Sequence, residues 1–273
     1  MDAIDRIEAL LGAAERPRAR HARQLSESIV DVCEFLAVRW GIWRSKDTDI
    51  LRELPPPPSG SMLEGALRRT SGIALLDLLG KPGASRSAAF DGVRICEIPM
   101  DAEGWEAGGL VSVFEEEFKD SLVEAGYPTT LAHGLAGALH ELASNASEHS
   151  SAPIPPIIAF SVQQLTWGFA IIDVGRGARS SLADNPKLPA LNDELEALRL
   201  AVQPGISRSG ASGRGLGFRH VFKALVDRSC RIRIRSGCGL ALWSGPSPTH
   251  QNLRWRALDG HPGFQVGISR ISH

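Results

Sequence analysis

The sequence predicts an α/β fold: a two-layer sandwich in which a mixed β-sheet carries helices on one face, preceded by a mainly helical N-terminal region. Short runs rich in β-branched and aromatic residues, typical of strands, recur after residue 92. Stretches with apolar residues at every third or fourth position, typical of helices with one buried face, lie between them. Before residue 90 only the helical pattern is evident. We therefore expect an N-terminal region over residues 1–90 and an α/β domain over residues 91–273.

The composition excludes several classes of protein. The chain has 273 residues, 43% of them hydrophobic, and a formal net charge of -1, so it can bury a core and has no basic field that would attract nucleic acid. Its four cysteines form no CxxC pair and have no histidine at metal-ligand spacing, which argues against a zinc site. The N-terminus lacks the apolar core of a signal peptide, and no apolar run could span a bilayer. We expect a cytoplasmic protein with reduced thiols and no membrane partner.

The N-terminal region is predicted to contain three helical stretches. Residues 2–11 form a short amphipathic helix, and the basic run 16–23 that follows is a solvated face or a contact for an acidic partner. Residues 24–43 carry an apolar stripe at helical spacing, which favours core packing: Leu25, Ile29, Val32, Cys33, Leu36, Trp40 and Trp43. The proline tract 55–61 is a linker or rigid loop, and residues 61–80 are again helical in pattern.

The elements of the α/β domain follow from the same periodicities. The strands are expected at 93–98, 157–163, 167–173, 231–235, 239–243 and 264–271, the last of which closes the sheet, and the helices at 105–125, 129–149, 191–202 and 213–226. In RIRIR, residues 231–235, the isoleucines face inward and the arginines lie on a half-exposed outer face, where they could alternatively bind phosphate. The acidic cluster 115–117 is predicted to be solvated surface.

Polar side chains follow one face of the helix at 129–149. Glu141, Asn145 and His149, within the stretch HELASNASEHS, lie at positions i, i+4 and i+8, one turn above another. A carboxylate can hold a water and accept its proton, and an amide oxygen is a hard neutral ligand suited to Mg²⁺. Taken alone, this row is more typical of a solvated polar stripe on an amphipathic helix.

Two glycine-containing stretches make the pattern more specific. IIDVGRG, residues 171–177, ends a predicted strand, and GRGLGF, residues 213–218, opens a predicted helix. In chain order, ExxxN on a helix, DxGxG after a strand and GxGxG before a helix resemble the N, G1 and G2 boxes of the GHKL superfamily of histidine-kinase-like ATP-binding domains. The resemblance covers about residue 93 to the C-terminus. It implies the Bergerat form of the α/β sandwich, with ATP and Mg²⁺ as ligands.

The resemblance assigns the base-binding residues to the G1 box. Asp173 would accept a hydrogen bond from the exocyclic amine of adenine, because a carboxylate is an acceptor-only group, and it would reject the carbonyl oxygen that guanine presents there. Gly175 and Gly177 would let the backbone approach the base or ribose. Many relatives carry a Gly-Thr pair on the final strand that helps to bind adenine, whereas this chain has Gly263 and Phe264.

The resemblance assigns the phosphates to the G2 box and the chemistry to the N box. A backbone nest at the start of a helix would hold phosphate oxygens, and the residues that form it are Gly213, Arg214, Gly215, Leu216 and Gly217, with Arg214 adding a positive charge. Asn145 would give one oxygen to Mg²⁺, and Glu141 would orient the attacking nucleophile. His140 is excluded as a phosphoacceptor, because no helical hairpin of the histidine-kinase type precedes the domain.

These expectations lead to one leading function and two alternatives. The leading one is a Mg-ATP-binding regulatory ATPase or protein kinase, nearest to the anti-sigma serine kinases. Its expected partners are ATP and a protein. A mobile lid is expected at residues 203–213, between the G1 and G2 boxes. The first alternative is a nucleotide-gated protein-binding module without turnover. The second is a scaffold that binds no nucleotide, against which the presence of both Glu141 and Asn145 argues. Whether the protein is a homodimer is left open.

Overall fold

A computed structural model describes residues 87–90, 93–99, 105, 109–149, 151, 155–173, 175–206, 217–258 and 263–270. The helices expected within residues 1–86 lie outside this described part, as do most of the lid and residues 213–216 of the G2 box. The boundary expected at residue 90 falls just after the first described strand.

The described residues form an α/β structure with one eight-stranded sheet. In chain order the strands are β1 (Ser87–Phe90), β2 (Val93–Glu97), β3 (Ile157–Val162), β4 (Trp167–Ile172), β5 (Ser229–Ser236), β6 (Gly239–Pro246), β7 (Arg254–Ala257) and β8 (Phe264–Arg270). The helices are α1 (Leu110–Glu124), α2 (Thr129–His149), α3 (Gly177–Leu182), α4 (Glu194–Ala201) and α5 (Gly217–Ala224). The strand order is β1-β2-β3-β4-β8-β5-β6-β7. No described helix is long and apolar enough to cross a membrane.

The expectation of a mixed sheet was wrong, because every pair of neighbouring strands is antiparallel. The connection from β2 to β3 explains one of these pairs. It contains two helices, α1 and α2, which carry the chain away and back, so that β3 starts at the end where β2 finished. A single crossover helix would have produced a parallel pair.

The last strand, which was expected to complete the sheet, does not lie at an edge. Strand β8 instead lies in the middle, paired with β4 on one side and with β5 on the other. This insertion places the start of β8 next to the end of β4, because Gln265 pairs with Ile172. Strand β8 therefore joins two halves of the sheet, β1 to β4 on one side and β5 to β7 on the other, and its first residues lie beside the predicted G1 box.

All five described helices lie on one face of the sheet. A row of paired side chains crosses five strands on this face, comprising Phe160, Phe169, Ile268, Ile232 and Trp243. These residues share one core with Phe114 and Phe118 of α1, Leu139 of α2, Leu198 of α4 and Val221 of α5. The apolar periodicity of each helix is thus matched by the alternate apolar positions of the strands beneath it.

Several short elements differ from the sequence prediction. Strands β1 and β7 and helix α3 were not expected, since SAAF, RWRA and GARSSL carry no strong periodicity. Helix α1 begins at Leu110 rather than at Trp105, after the N-cap residue Gly109. Helix α4 begins at Glu194 because the side chain of Asp193 accepts a hydrogen bond from the Glu196 amide at 2.7 Å and caps the first turn.

One prediction about charged side chains was also wrong. The arginines of β5 are not half-exposed, because Arg233 and Arg235 are both buried. The acidic cluster on α1 lies on the surface as expected, and two of its members also make contacts there: Glu115 accepts a hydrogen bond from His140, and Glu117 pairs with Arg94 at 3.5 Å. Period-two alternation and a run of carboxylates look the same in a sequence whether the polar side faces water or another part of the protein.

Candidate functional site

Asp173 follows directly after β4 and is buried. Its Oδ1 accepts hydrogen bonds from the amides of Gly175 at 2.8 Å and Phe264 at 3.2 Å, and its own amide donates to the Phe264 carbonyl at 3.0 Å. Burial raises the pKa of this carboxyl to about 6, although the two amide donors act in the opposite direction. The carboxyl group is therefore held rigidly, with one oxygen already engaged by the backbone.

The predicted N-box residues lie toward the same end of the sheet as Asp173. Just before α2, the hydroxyl of Tyr127 donates to the Gln163 carbonyl at 3.2 Å, beyond the far end of β3. Near the end of α2, the hydroxyl of Ser147 donates to the Pro99 carbonyl at 3.2 Å, beyond the end of β2. Helix α2 therefore runs toward the end of the sheet where β2 and β4 finish and β3 begins.

Within the last turns of α2, Glu141 is partly buried and Asn145 is exposed. Both side chains are thus placed at the end of the sheet that carries Asp173. The side chain of His149 lies outside the described residues.

Helix α5, which begins at the last glycine of the G2 box, starts near Asp173. The ring of Phe218 lies 6.2 Å from that of Phe264, whose amide binds the Asp173 carboxylate. At the other end of α5, a Cβ atom on Gly134 of α2 would lie 3.1 Å from the Cβ of Ala224. Helices α2 and α5 are therefore antiparallel.

The contact of Gly134 with Ala224 also shows how far along α2 the last glycine of the G2 box, Gly217, lies. Gly217 precedes Ala224 by seven residues, and Glu141 follows Gly134 by seven. Because a helix rises 1.5 Å per residue, both lie about 10 Å from the contact, so Gly217 is level with Glu141. The described parts of all three boxes thus meet at one end of the sheet, while Gly213, Arg214, Gly215 and Leu216 lie outside the described residues.

Gly177 has a packing reason to be glycine. Its φ is 72°, and a Cβ atom there would lie 2.9 Å from the hydroxyl oxygen of Ser236 and 3.3 Å from the Gly263 carbonyl oxygen. The same hydroxyl oxygen accepts a hydrogen bond from the Ala178 amide at 2.7 Å, which fixes the start of α3 on the end of β5. Because Gly177 has no side chain, the G1 loop can pack closely against the end of β5 and the start of β8.

The sequence did not point to Glu194, which lies at the same corner of the molecule. Its Oε2 is buried, has no hydrogen-bond partner among the described residues, and lies 3.9 Å from the position of a Cβ atom on Gly177. The side chain crosses Gly237, where a Cβ atom would lie 2.6 Å from Glu194 Cγ. An acidic residue in the first turn of a helix is favoured by the helix dipole, so nothing in the sequence distinguished Glu194 from an ordinary helix start.

The side chain of His140 contacts two residues outside α2, Glu115 and Trp105. Its Nδ1 lies 2.8 Å from Glu115 Oε1, and its ring packs edge-on against Trp105 with centroids 5.6 Å apart. The hydrogen bond to Glu115 raises the pKa of His140. This contact links α2 to α1.

The residues present suit an adenine nucleotide. The Asp173 carboxylate and Glu194 Oε2, which no described group hydrogen-bonds, provide buried acceptors that match a ligand with amine and hydroxyl donors. Among the described residues no group of three His, Cys, Asp or Glu side chains could hold a metal ion. A lone amide such as Asn145 fits an ion that phosphates and water coordinate for the most part, which is how Mg²⁺ accompanies nucleotides.

Comparison with known proteins gives no match to this chain from family models, from curated proteins or from solved structures.

Proposed function

We propose that this protein is a Mg-ATP-binding regulatory ATPase or protein kinase of the GHKL superfamily, acting in the cytoplasm on a protein partner. Residues 91–273 would form its ATP-binding domain, a Bergerat-type sandwich with a lid at 203–213. The observation that carries the proposal is the rigid, buried Asp173 carboxyl at the end of β4, at the same end of the sheet as Glu141, Asn145 and Gly217.

Asp173 would select the base. The adenine amine is a donor and pairs with a carboxylate, whereas guanine would place a carbonyl oxygen against it and leave both acceptors unsatisfied. Because the amides of Gly175 and Phe264 already hold Oδ1, the carboxyl needs little reorganisation when the base arrives. The backbone of Phe264 would thus support the base-binding residue at the position where many members of the GHKL superfamily have threonine.

Glu141 would act as the general base. A water, or a hydroxyl of the partner protein, would attack the γ-phosphorus as ADP leaves, and Glu141 would orient it and accept its proton. Mg²⁺, when bound, would neutralise charge on the phosphates. Asn145 would offer its amide oxygen to the ion, and the start of α5 at Gly217 would direct backbone N–H groups toward the phosphates.

Calorimetry with ATP, ADP and GTP, each with and without Mg²⁺, tests the proposal. We expect ATP and ADP to bind and GTP to bind at least 100-fold more weakly, since a site built to bind a donor rejects an analogue that lacks it. Asp173→Asn should weaken ATP binding about 10- to 100-fold, by the loss of one charge-assisted hydrogen bond. Asp120→Asn, the same change at an exposed position on α1, is the matched control and should bind normally.

The opposite results would refute the proposal. Equal affinities for ATP and GTP would contradict the role of Asp173 in base selection. Failure of the folded wild-type protein to bind any adenine nucleotide would contradict the nucleotide site itself and would favour the scaffold.

A further inference from the structure

Strand β7 (Arg254–Ala257) lies at one end of the sheet, and we call its outer side the β7 edge. Among the described strands it pairs with β6 alone. Arg254, Arg256 and Ala257 are exposed, and Trp255 is partly buried. The backbone N–H and C=O groups along such an edge are a ready template for a strand from another chain.

One hydrogen bond shows which backbone groups of β7 face outward. The Leu258 amide donates to the Cys238 carbonyl at 2.8 Å, and these two residues continue the register of the β6–β7 pair. In an antiparallel pair, hydrogen-bonded positions alternate with positions that are not hydrogen-bonded. The two arginines of β7 therefore direct their backbone groups toward β6, whereas Trp255 and Ala257 direct theirs away from the sheet.

Two arginines line one face of the β7 edge. Arg254 and Arg256 lie opposite Leu242 and Leu240, on the face of the sheet away from the described helices. Both arginine side chains are exposed. Strands β6 and β7 and the residues between them, 239–258, contain no aspartate or glutamate. A strand added to this edge would therefore meet positive charge at two alternate positions.

The other face of the β7 edge combines an aromatic ring with a third arginine. Trp255 packs against the main core, and the guanidinium carbon of Arg199 on α4 lies 5.6 Å from the centre of its ring. Arg199 is exposed. Glu196, the carboxylate one turn earlier on α4, accepts a hydrogen bond from the Asn192 amide at 2.8 Å. Tryptophan and arginine are the side chains most enriched at binding hot spots, so this face also suits a partner.

We propose that the β7 edge docks an extended acidic segment of a partner protein, which adds to the sheet as a further antiparallel strand. Its backbone pairs with Trp255 and Ala257. Its residues opposite Arg254 and Arg256 take positions that are not hydrogen-bonded, where opposing Cα atoms are closest, about 4.5 Å apart. Carboxylates at these two alternate positions pair with the arginines, and a β-branched residue between them packs against Trp255.

Two other occupants suit the β7 edge less well. In a symmetric pair of copies, each register that joins Trp255 of one copy to Trp255 or Ala257 of the other places an arginine opposite an arginine, and like charges directly opposite are destabilising. A nucleic-acid backbone offers phosphate acceptors to the arginines but no donors to the outward C=O groups. An acidic peptide satisfies both the backbone groups and the charges.

The β7 edge is separate from the proposed nucleotide site. Strand β7 lies four strand spacings from β4, which Asp173 follows, and at about 4.8 Å per spacing this distance is about 19 Å. Docking can therefore be measured without nucleotide. Its success or failure is independent of whether the protein binds ATP.

Nuclear magnetic resonance of the isotopically labelled full-length chain tests the inference. The probe is the acetylated, amidated peptide Ser-Thr-Glu-Val-Glu-Thr-Ser, which carries carboxylates at alternate positions. We expect saturable binding at millimolar concentration or below. Hydrogen exchange should slow at the amides of Trp255 and Ala257 but not at those of Arg254 and Arg256, which face β6. The same peptide with N-methyl groups on its valine and first threonine, the residues whose N–H groups face β7, should not bind.

One charge reversal tests the choice of an acidic partner. Arg254→Glu should weaken peptide binding by about tenfold, because a pair of opposite charges becomes a pair of like charges. The matched control is Lys223→Glu, the same change at an exposed position on α5, and it should bind the peptide like the wild-type protein. A peptide with glutamine in place of both glutamates should bind more weakly and should distinguish little between the wild type and Arg254→Glu.

Four results would overturn the inference. One is the absence of saturable peptide binding to the folded wild-type protein at millimolar concentration. A second is equal binding of the N-methylated peptide, which would show charge attraction without strand pairing. A third is protection of the Trp255 and Ala257 amides that rises with protein concentration when no peptide is present, which would make the occupant a second copy. The fourth is single-stranded oligothymidylate that binds the same edge more tightly than the peptide, which would make it a nucleic-acid surface.

Discussion

Asp173 shows how the environment of one residue sets its chemistry. Burial raises its pKa to about 6, against an ordinary value of 3.8, so the carboxyl is partly protonated in mildly acidic solution. An acid whose folded pKa is raised stabilises the fold while it is neutral. That contribution is complete below pH 3.8 and is lost as the pH rises to about 6. At the proposed nucleotide site, ligand binding should have the opposite dependence on pH, because the adenine amine would pair with the ionised form of Asp173.

We therefore predict that adenosine binds more tightly as the pH rises through about 6. Adenosine is the right probe because it has no phosphate to titrate in this range. Calorimetry between pH 4.5 and 8 should show affinity levelling off above pH 7. In Asp173→Asn the affinity should be low and independent of pH. A wild-type profile that is equally flat would mean that Asp173 does not contact the base.

Glu141 and Asn145 should differ in what they contribute. We predict that Glu141→Ala keeps Mg-ATP affinity within a factor of about three while turnover falls by about 10² to 10⁴-fold, the usual contribution of a general base. Asn145→Ala should lose Mg-dependent binding and turnover together. Glu124→Ala, at an exposed position on α1, is the control.

The assay of Glu141→Ala must include candidate protein substrates, since a kinase of this class can be slow with water alone. If the wild-type protein binds Mg-ATP but neither hydrolyses it nor transfers phosphate, and Glu141→Ala matches it in every assay, the nucleotide-gated binding module replaces the enzyme.

At the scale of elements, the contact of α2 with α5 links the predicted N and G2 boxes, which are far apart in the chain. Gly134 lets the helices approach, since even a Cβ atom there would lie 3.1 Å from that of Ala224. Gly137, one turn later on the same helix, has nothing within 4 Å of its Cβ position. The pair therefore offers the same substitution at a crowded and at an open site.

We predict that Gly134→Leu weakens ATP binding by about tenfold, because overpacking against Ala224 costs about 1 to 3 kcal/mol and shifts α5 as a whole, including its first turn at Gly217. Adenosine affinity should change little, since Asp173 and β4 do not depend on that contact. Gly137→Leu should bind both ligands normally. Equal losses of ATP and adenosine affinity in Gly134→Leu would indicate a general loss of structure rather than a displaced phosphate site.

At the scale of the whole molecule, the candidate site joins the two halves of the sheet. Asp173 follows β4 and is hydrogen-bonded to the first residue of β8, a strand that pairs with β5. A ligand held there would bind the folded state and not the unfolded chain, so it should stabilise the whole domain.

We predict that ATP with Mg²⁺ at 100 times its Kd raises the free energy of unfolding by about 2.7 kcal/mol. For a domain of this size the corresponding rise in Tm is about 5 to 10 °C. Differential scanning calorimetry would measure it. GTP at the same concentration should have little effect, and so should ATP added to Asp173→Asn. A similar rise in Tm with all three would point to nonspecific phosphate binding.

The sequence by itself determined the elements whose signal is local. Strands β2, β3 and β4 and helix α2 lie within a residue or two of their predicted bounds, because hydrophobic periodicity and proline report on the nearest few residues. The spacing of Glu141 and Asn145 on one helix face is local in the same sense. Short elements such as β1, β7 and α3 have too few residues to show a period.

The tertiary structure alone decided everything that joins distant residues. Strand β8 could have closed an edge, and only its pairing between β4 and β5 brings the Phe264 amide to Asp173, 91 residues earlier in the chain. Burial of Arg233 and Arg235, and the closeness of Glu194 to Gly177, likewise depend on which elements lie against each other. An alternating strand has the same sequence pattern whether its polar face meets water or protein, because the pattern records only that the two faces differ.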